Sequence, residues 1–276
     1  MHKKALWIVG ICLLLTGCGE YQKLLKSNDP ELKYTKAIEY FNAGDFVRAQ
    51  TLFDDITPYY KGTERSEELL NYLARCYVGE KDYAGACEYY KAYIRNYPKG
   101  RFILEARYMV GHCYYLDSPD ARLDQEQTNL AIEYLNQFIE LYPESDYVND
   151  AVKEVNEMYD KLAQKEYLSA KLYYNLGTYL GNNYLSCIIT AQNALKKYPG
   201  NSYQEELNWL ILQAKYQEWD NSVDELKEER LRDAQDECYN FTIEYPNSKH
   251  NKAVERIKAS LNKQASKANK ANKTKK

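Results

Sequence analysis

One short phrase, a tyrosine followed by proline and then small or polar residues, recurs four times: Asn96-Tyr97-Pro98-Lys99-Gly100, Leu141-Tyr142-Pro143-Glu144-Ser145, Lys197-Tyr198-Pro199-Gly200-Asn201 and Glu244-Tyr245-Pro246-Asn247-Ser248. Proline lacks an N–H and pushes the residue before it out of the helical region, so each phrase predicts the end of one helix and the start of the next. Twelve residues before each proline stands a small residue, Ala86, Ala131, Cys187 or Ala234, and four residues after it an aromatic ring, Phe102, Tyr147, Tyr203 or His250. A small side chain in that register lets two helices approach closely. Tyr59-Tyr60-Lys61-Gly62 is a degenerate fifth copy, with its proline displaced to Pro58 and Ala49 in the small position.

The prolines are 45, 56 and 47 residues apart, longer than the roughly 34 of a bare tetratricopeptide repeat, yet each unit follows that grammar. Leu70, Leu73, Ala74 and Tyr77 share one face of a first helix, Gly79 to Asp82 make a turn, and Tyr83, Ala86, Tyr90 and Tyr93 line a second. The expected fold is all-α, a right-handed solenoid of about five helix pairs, each burying its apolar face on its neighbours.

Met1 to Gly17 stands apart, because Lys3 and Lys4 precede an apolar run from Ala5 to Leu15 that is too short to span a membrane. It reads as a secretory signal, and Leu15-Thr16-Gly17-Cys18 is similar to the cleavage site of bacterial lipoproteins. That likeness implies lipidation of Cys18 and a stable membrane anchor, since each buried methylene contributes about 0.8 kcal/mol. Residues 18–28 then read as a polar leash, with Asp29 as N-cap and Pro30 opening the first helix.

Repeats one to three occupy 29–145 and a second half 146–262, beginning with one long helix from Tyr147 toward Leu180 in which the only glycine is Gly177. Asp117 to Gln127 is an insertion in repeat three; its acids lack the glycine and ligand spacing of a calcium loop and predict a solvated loop. Ser222-Val223-Asp224-Glu225 has the form of a capping box. The tail 263–276, lysine-rich and with alanine as its only apolar type, predicts disorder.

With 37 Lys plus Arg against 40 Asp plus Glu, the chain has no basic excess pointing to nucleic acid. Cys76, Cys87, Cys113, Cys187 and Cys238 are scattered through helices without a C-x-x-C, and Cys76 and Cys113 hold the same repeat position, as small buried side chains would. No phosphate loop, nucleophile elbow or zinc-protease motif occurs, so neither a cofactor, a metal nor an enzymatic activity is expected.

Gly44-Asp45-Phe46-Val47-Arg48-Ala49, Leu123-Asp124-Gln125-Glu126-Gln127-Thr128, Tyr142-Pro143-Glu144-Ser145-Asp146-Tyr147 and the segment through Lys165-Glu166-Tyr167 and Tyr173-Tyr174 carry a resemblance over nearly the whole chain. Placed behind a lipoprotein signal, they resemble the BamD family, the repeat lipoproteins of the β-barrel assembly machinery. The resemblance implies an outer-membrane lipoprotein facing the periplasm. Its implied partners are the POTRA domains of the barrel-forming subunit, bound by the C-terminal half, other assembly lipoproteins, and unfolded outer-membrane β-barrel proteins, received by the N-terminal half through their C-terminal strand signal. Two other readings of a repeat lipoprotein are a glycan-binding subunit of nutrient uptake, typically longer than this chain, and a scaffold for envelope enzymes.

Repeat geometry adds a groove, because the first helix of each tetratricopeptide pair lines the inner face. The expected lining is Tyr34, Phe41 and Asn42, then Asn71 and Arg75, then Tyr108, His112 and Tyr115. These would offer ring-sized apolar surface beside Arg75, whose guanidinium can hold a terminal carboxylate with two hydrogen bonds, and Asn71 one turn earlier would add a third donor.

Overall fold

The structure, a computed structural model, describes residues 19–274, with side chains to 266. The signal segment and Cys18 lie outside the described residues. All regular structure among the described residues is helical. After a short helical segment over 19–25, the helices are α1 (Pro30–Asn42), α2 (Phe46–Tyr60), α3 (Arg65–Gly79), α4 (Tyr83–Asn96), α5 (Ile103–Asp117), α6 (Glu126–Leu141), α7 (Val148–Leu176), α8 (Asn183–Lys197), α9 (Gln204–Asp220), α10 (Asp224–Glu244) and α11 (Asn251–Thr274).

The recurring phrase ends helices as its chemistry requires. Tyr97, Tyr198 and Tyr245 have nearly the same backbone, φ −131°, −126° and −125° with ψ 61°, 70° and 63°, which is the non-helical region imposed by the next proline. Each still donates its N–H to the carbonyl four residues back, as does Tyr142 to Phe138, so the last turn closes before the chain leaves it. The displaced Pro58 sits inside α2, which runs on to Tyr60. Ala49, Ala86, Ala131, Cys187 and Ala234 are all fully buried, so the small-residue register coincides with the closest helix contacts.

The chain forms two compact units. The first runs up to Ser118 and includes Gln127–Glu154; the second takes Pro119–Glu126 and everything from Val155. In the first, consecutive helices from α1 to α5 pack in turn, with Leu52, Phe53 and Ile56 of α2 centring one cluster and Tyr90 and Tyr93 of α4 centring the next. Gly111 of α5 allows close approach to α6: a Cβ there would stand 2.7 Å from Leu135 Cγ. In the second, Ala170, Cys187, Ala191, Leu207 and Ile211 join α7, α8 and α9, and Trp209, Phe241 and Val254 join α9, α10 and α11.

Side-chain bonds tie equivalent positions of successive first helices. Arg65 Nη1 donates to Glu31, Tyr34 Oη to Glu68 at 2.9 Å, and the Arg101 N–H to Glu67 at 2.5 Å, each across 34 residues. The first two repeats therefore keep the bare tetratricopeptide period, and the longer proline spacings arise only downstream.

Several local expectations are corrected. Residues 19–25 are no loose leash: they are helical, Leu24 is buried, Tyr21 packs edge-on against Tyr40 at 5.7 Å, and Lys33 Nζ donates to the Leu25 carbonyl at 3.0 Å. The turn expected from Gly79 to Asp82 is present, and its positive φ (62°) falls on Lys81, while Gly79 ends α3 against the Phe46 ring. The long helix stops at Leu176, about 43 Å from its start at 1.5 Å per residue, because Gly177 takes φ 56°. Ser222 caps nothing; Val223 is the N-cap of α10, and the Ser222 hydroxyl accepts from Arg230 at 2.9 Å. The insertion is a folded loop in which Ala121 and Gln125 are buried and Gln125 Nε2 donates to the carbonyls of Asp120, Leu123 and Asp124. Residues 263–274, expected to be disordered, continue α11, consistent with alanine and lysine both being strong helix formers and with no proline or glycine to interrupt them.

Candidate functional site

The expected groove residues fall into two groups, both in the first unit. The first is built by α1 and α3. Helical spacing puts Phe41 at the end of α1 against Tyr72 of α3, ring centroids 5.2 Å apart, and Tyr72 stacks in turn on Phe53 at 5.0 Å. Arg75, one turn beyond Asn71 on α3, lies with Cζ 5.5 Å from the centre of the Phe41 ring, within cation–π range. Its Nε faces Glu105 Oε1 of α5 at 3.5 Å, and its side chain remains 46 % exposed. The Nη pair has no hydrogen-bond or ion-pair partner among the described residues. Glu105 and the Phe41 ring thus hold the guanidinium by its inner nitrogen and its face and leave the outer fork toward solvent.

The other members of this group are placed as follows. Asn71 is buried, 3 % exposed, and its Oδ1 has no hydrogen-bond partner. Tyr34 is half-buried, with its ring against Phe53 and Tyr60 and its hydroxyl committed to Glu68. Burial and that bond raise the Tyr34 pKa, while Arg101 and Tyr34 together lower that of Glu68, so the pair stays a phenol and a carboxylate. Asn42 is exposed at the end of α1.

The second group is built by α5 and the first turns of α7. Tyr108 is buried and stacks on Tyr147 at 4.8 Å and 12°, and on His112 at 5.3 Å; Tyr115 lies half-buried, 5.9 Å from the His112 ring. The Tyr108 hydroxyl donates to Glu154 Oε1 at 2.8 Å, and His112 Nδ1 stands 2.8 Å from the same oxygen. Glu154 is itself buried, and its Oε2 has no partner. Burial first, then the Glu154 bond, push the Tyr108 pKa up and keep it a proton donor. Of this group His112 and Tyr115 retain accessible surface, and Tyr108 serves as their fixed backing.

Sequence reasoning missed Glu105 and Glu154, the carboxylates that orient Arg75, Tyr108 and His112. Glu105 was findable only in part, because it lies about one repeat from Arg75 but in the reverse order of the Glu31/Arg65 and Glu68/Arg101 pairs, where the acid comes first. Glu154 had no such signal. All five described cysteines are free and buried, with burial raising Cys76, Cys113 and Cys187 to about 12, so they are inert packing groups.

Helix pairs in repeat register, with a half-exposed cation held over the Phe41 ring, define an all-α repeat protein. A family model described as YfiO, outer membrane lipoprotein, matches residues 26–182, and the chain belongs to that family. It is 28 % identical over 150 residues to the outer membrane protein assembly factor BamD of Caulobacter vibrioides, which covers 53 % of this chain and 48 % of that protein. The chain thus matches about half the length of that curated relative. Among solved structures, the TPR2AB domain of yeast Sti1 in its pHSP90 complex aligns over 84 % of this chain and 98 % of its own at 10 % identity and TM-score 0.38. The TPR domain of P58(IPK) aligns over 92 % of this chain and 68 % of its own at 15 % identity and TM-score 0.38.

Proposed function

We propose that this outer membrane lipoprotein assists the assembly of outer-membrane proteins by binding and not by turnover. Lipid on Cys18 anchors it facing the periplasm. The first unit receives unfolded β-barrel proteins by a C-terminal segment, and the later helices dock the POTRA domains of the barrel-forming subunit alongside other assembly lipoproteins. Membership of the family and the assembly role named for the Caulobacter relative support this reading. The observation that carries the binding step is Arg75. A half-exposed guanidinium braced by Glu105 and laid over Phe41 offers two parallel donors beside a ring, which suits an extended peptide ending in an aromatic residue and a free carboxylate.

The test is binding of a labelled C-terminal peptide from an outer-membrane β-barrel protein, as free acid and as amide, to the full chain and to Arg75→Ala. The expected result is that Arg75→Ala weakens the free acid about tenfold or more and barely changes the amide. Equal loss for both peptides, or no loss for either, would remove the carboxylate role.

A further inference from the structure

A different face of the first unit carries a second site. Between α4 and α6, with α5 as its floor, lies a cleft of about 270 Å³ lined by Lys91, Ile94 and Arg95 of α4, Arg107 and Val110 of α5, and Tyr134, Gln137, Phe138 and Leu141 of α6. Its lining is largely apolar, and its charged residues, Lys91, Arg95 and Arg107, are all cationic. Lys91 is already engaged, donating to Tyr114 Oη at 2.8 Å and Glu88 at 3.2 Å. Arg95 and Arg107 are not: among the described residues neither guanidinium meets a carboxylate. Arg107 is the more telling, since its Nε is buried without a hydrogen-bond partner while its Cζ lies 5.8 Å from the Tyr142 ring. Buried donors of that kind are normally satisfied, and a guanidinium left short of acceptors beside an apolar hollow is arranged for an anion that arrives with an apolar group.

We infer that this cleft docks an acidic segment of a partner protein, seating one large apolar side chain in the hollow over Val110 and Phe138 while flanking carboxylates bind Arg95 and Arg107. Charge complementarity argues for acid on both sides of the inserted group, since Arg95 and Arg107 approach the hollow from different helices. The site is separate from Arg75 and does not depend on a free C-terminus.

The experiment uses the full chain on an array of peptides acetylated and amidated at their ends, each with a central phenylalanine and with flanking positions varied over Asp, Glu, Asn, Gln, Lys and Ser. Wild type should enrich Asp and Glu at the flanks. Arg107→Met and the exposed-site variant Arg95→Glu should each weaken the selected peptides at least tenfold in solution, with unchanged helical content by circular dichroism, while Arg75→Ala should bind them as wild type does. Should Arg107→Met fail to fold, Arg95→Glu decides alone. Absence of acidic enrichment, or enrichment indifferent to Arg95→Glu, would overturn the inference. So would vesicles of phosphatidylglycerol that bind through these arginines while the peptides do not.

Discussion

Tyr147 in the first unit and His250 in the second occupy the same place in the repeat, four residues past a Tyr-Pro, and each stacks flat on a ring of the preceding first helix. Tyr147 lies 4.8 Å from Tyr108 and His250 4.7 Å from Trp209, both at 12°. What surrounds the two stacks differs. Behind Tyr108 a buried carboxylate, Glu154, gathers a hydroxyl and an imidazole and keeps one oxygen unpaired. Beside Trp209, Glu206 is bound by His250 Nε2 at 3.1 Å and by the exposed Lys249 at 2.5 Å. The repeat therefore fixes where a ring sits but not its chemistry. One stack backs a buried polar cluster, and the other adjoins an ion pair between Glu206 and Lys249.

The largest expected effect breaks both stacks. Trp209→Ala should destabilise by about 3–5 kcal/mol in urea unfolding, the usual cost of removing a large buried ring. Tyr108→Ala should fall in the same range, because it also leaves Glu154 with one donor fewer. A cost under about 1 kcal/mol for either would mean that the stack is not part of the core.

Overpacking should be smaller and alike in both units. Ala86→Leu and Ala131→Leu in the first, and Ala234→Leu in the second, place a branched side chain at a fully buried helix contact and should each cost about 1–3 kcal/mol. Unchanged denaturation midpoints would contradict the repeat register.

The smallest effect separates the stacks by pH. Burial raises the Glu206 pKa, but the bonds from Lys249 and His250 outweigh it and hold the carboxyl below its ordinary value. A lowered folded pKa stabilises fully above the unfolded value of about 4.3 and is lost as pH falls through the folded value. The stability gap between wild type and Glu206→Gln should therefore narrow as pH drops below about 4.3. A gap that widens on acidification would reverse the assignment.

The helices, their ends and their small contact residues were legible because they follow from local rules: proline fixes the residue before it, and Asp45 and Asp82 cap the helices that follow by accepting from the N–H three residues on. The candidate site was legible only in part. Helical spacing placed Arg75 beside Phe41, but period alone could not separate a residue facing a groove from one facing the next helix, so Asn71 was assigned outward although it is buried. The tail misled for a related reason: low apolar content predicts no packed core, but it does not forbid a helix made of alanine and lysine.

The central claim is that the chain works in outer-membrane protein assembly as a lipid-anchored binding subunit. Its most direct test is affinity purification of the tagged full-length protein from detergent-solubilised outer membranes, beside a Cys18→Ala variant. The account predicts that a POTRA-bearing barrel protein co-purifies with the wild type and that Cys18→Ala leaves the membrane fraction while remaining folded. Recovery with glycan-uptake components and no POTRA-bearing partner, or retention of Cys18→Ala in the membrane, would contradict it.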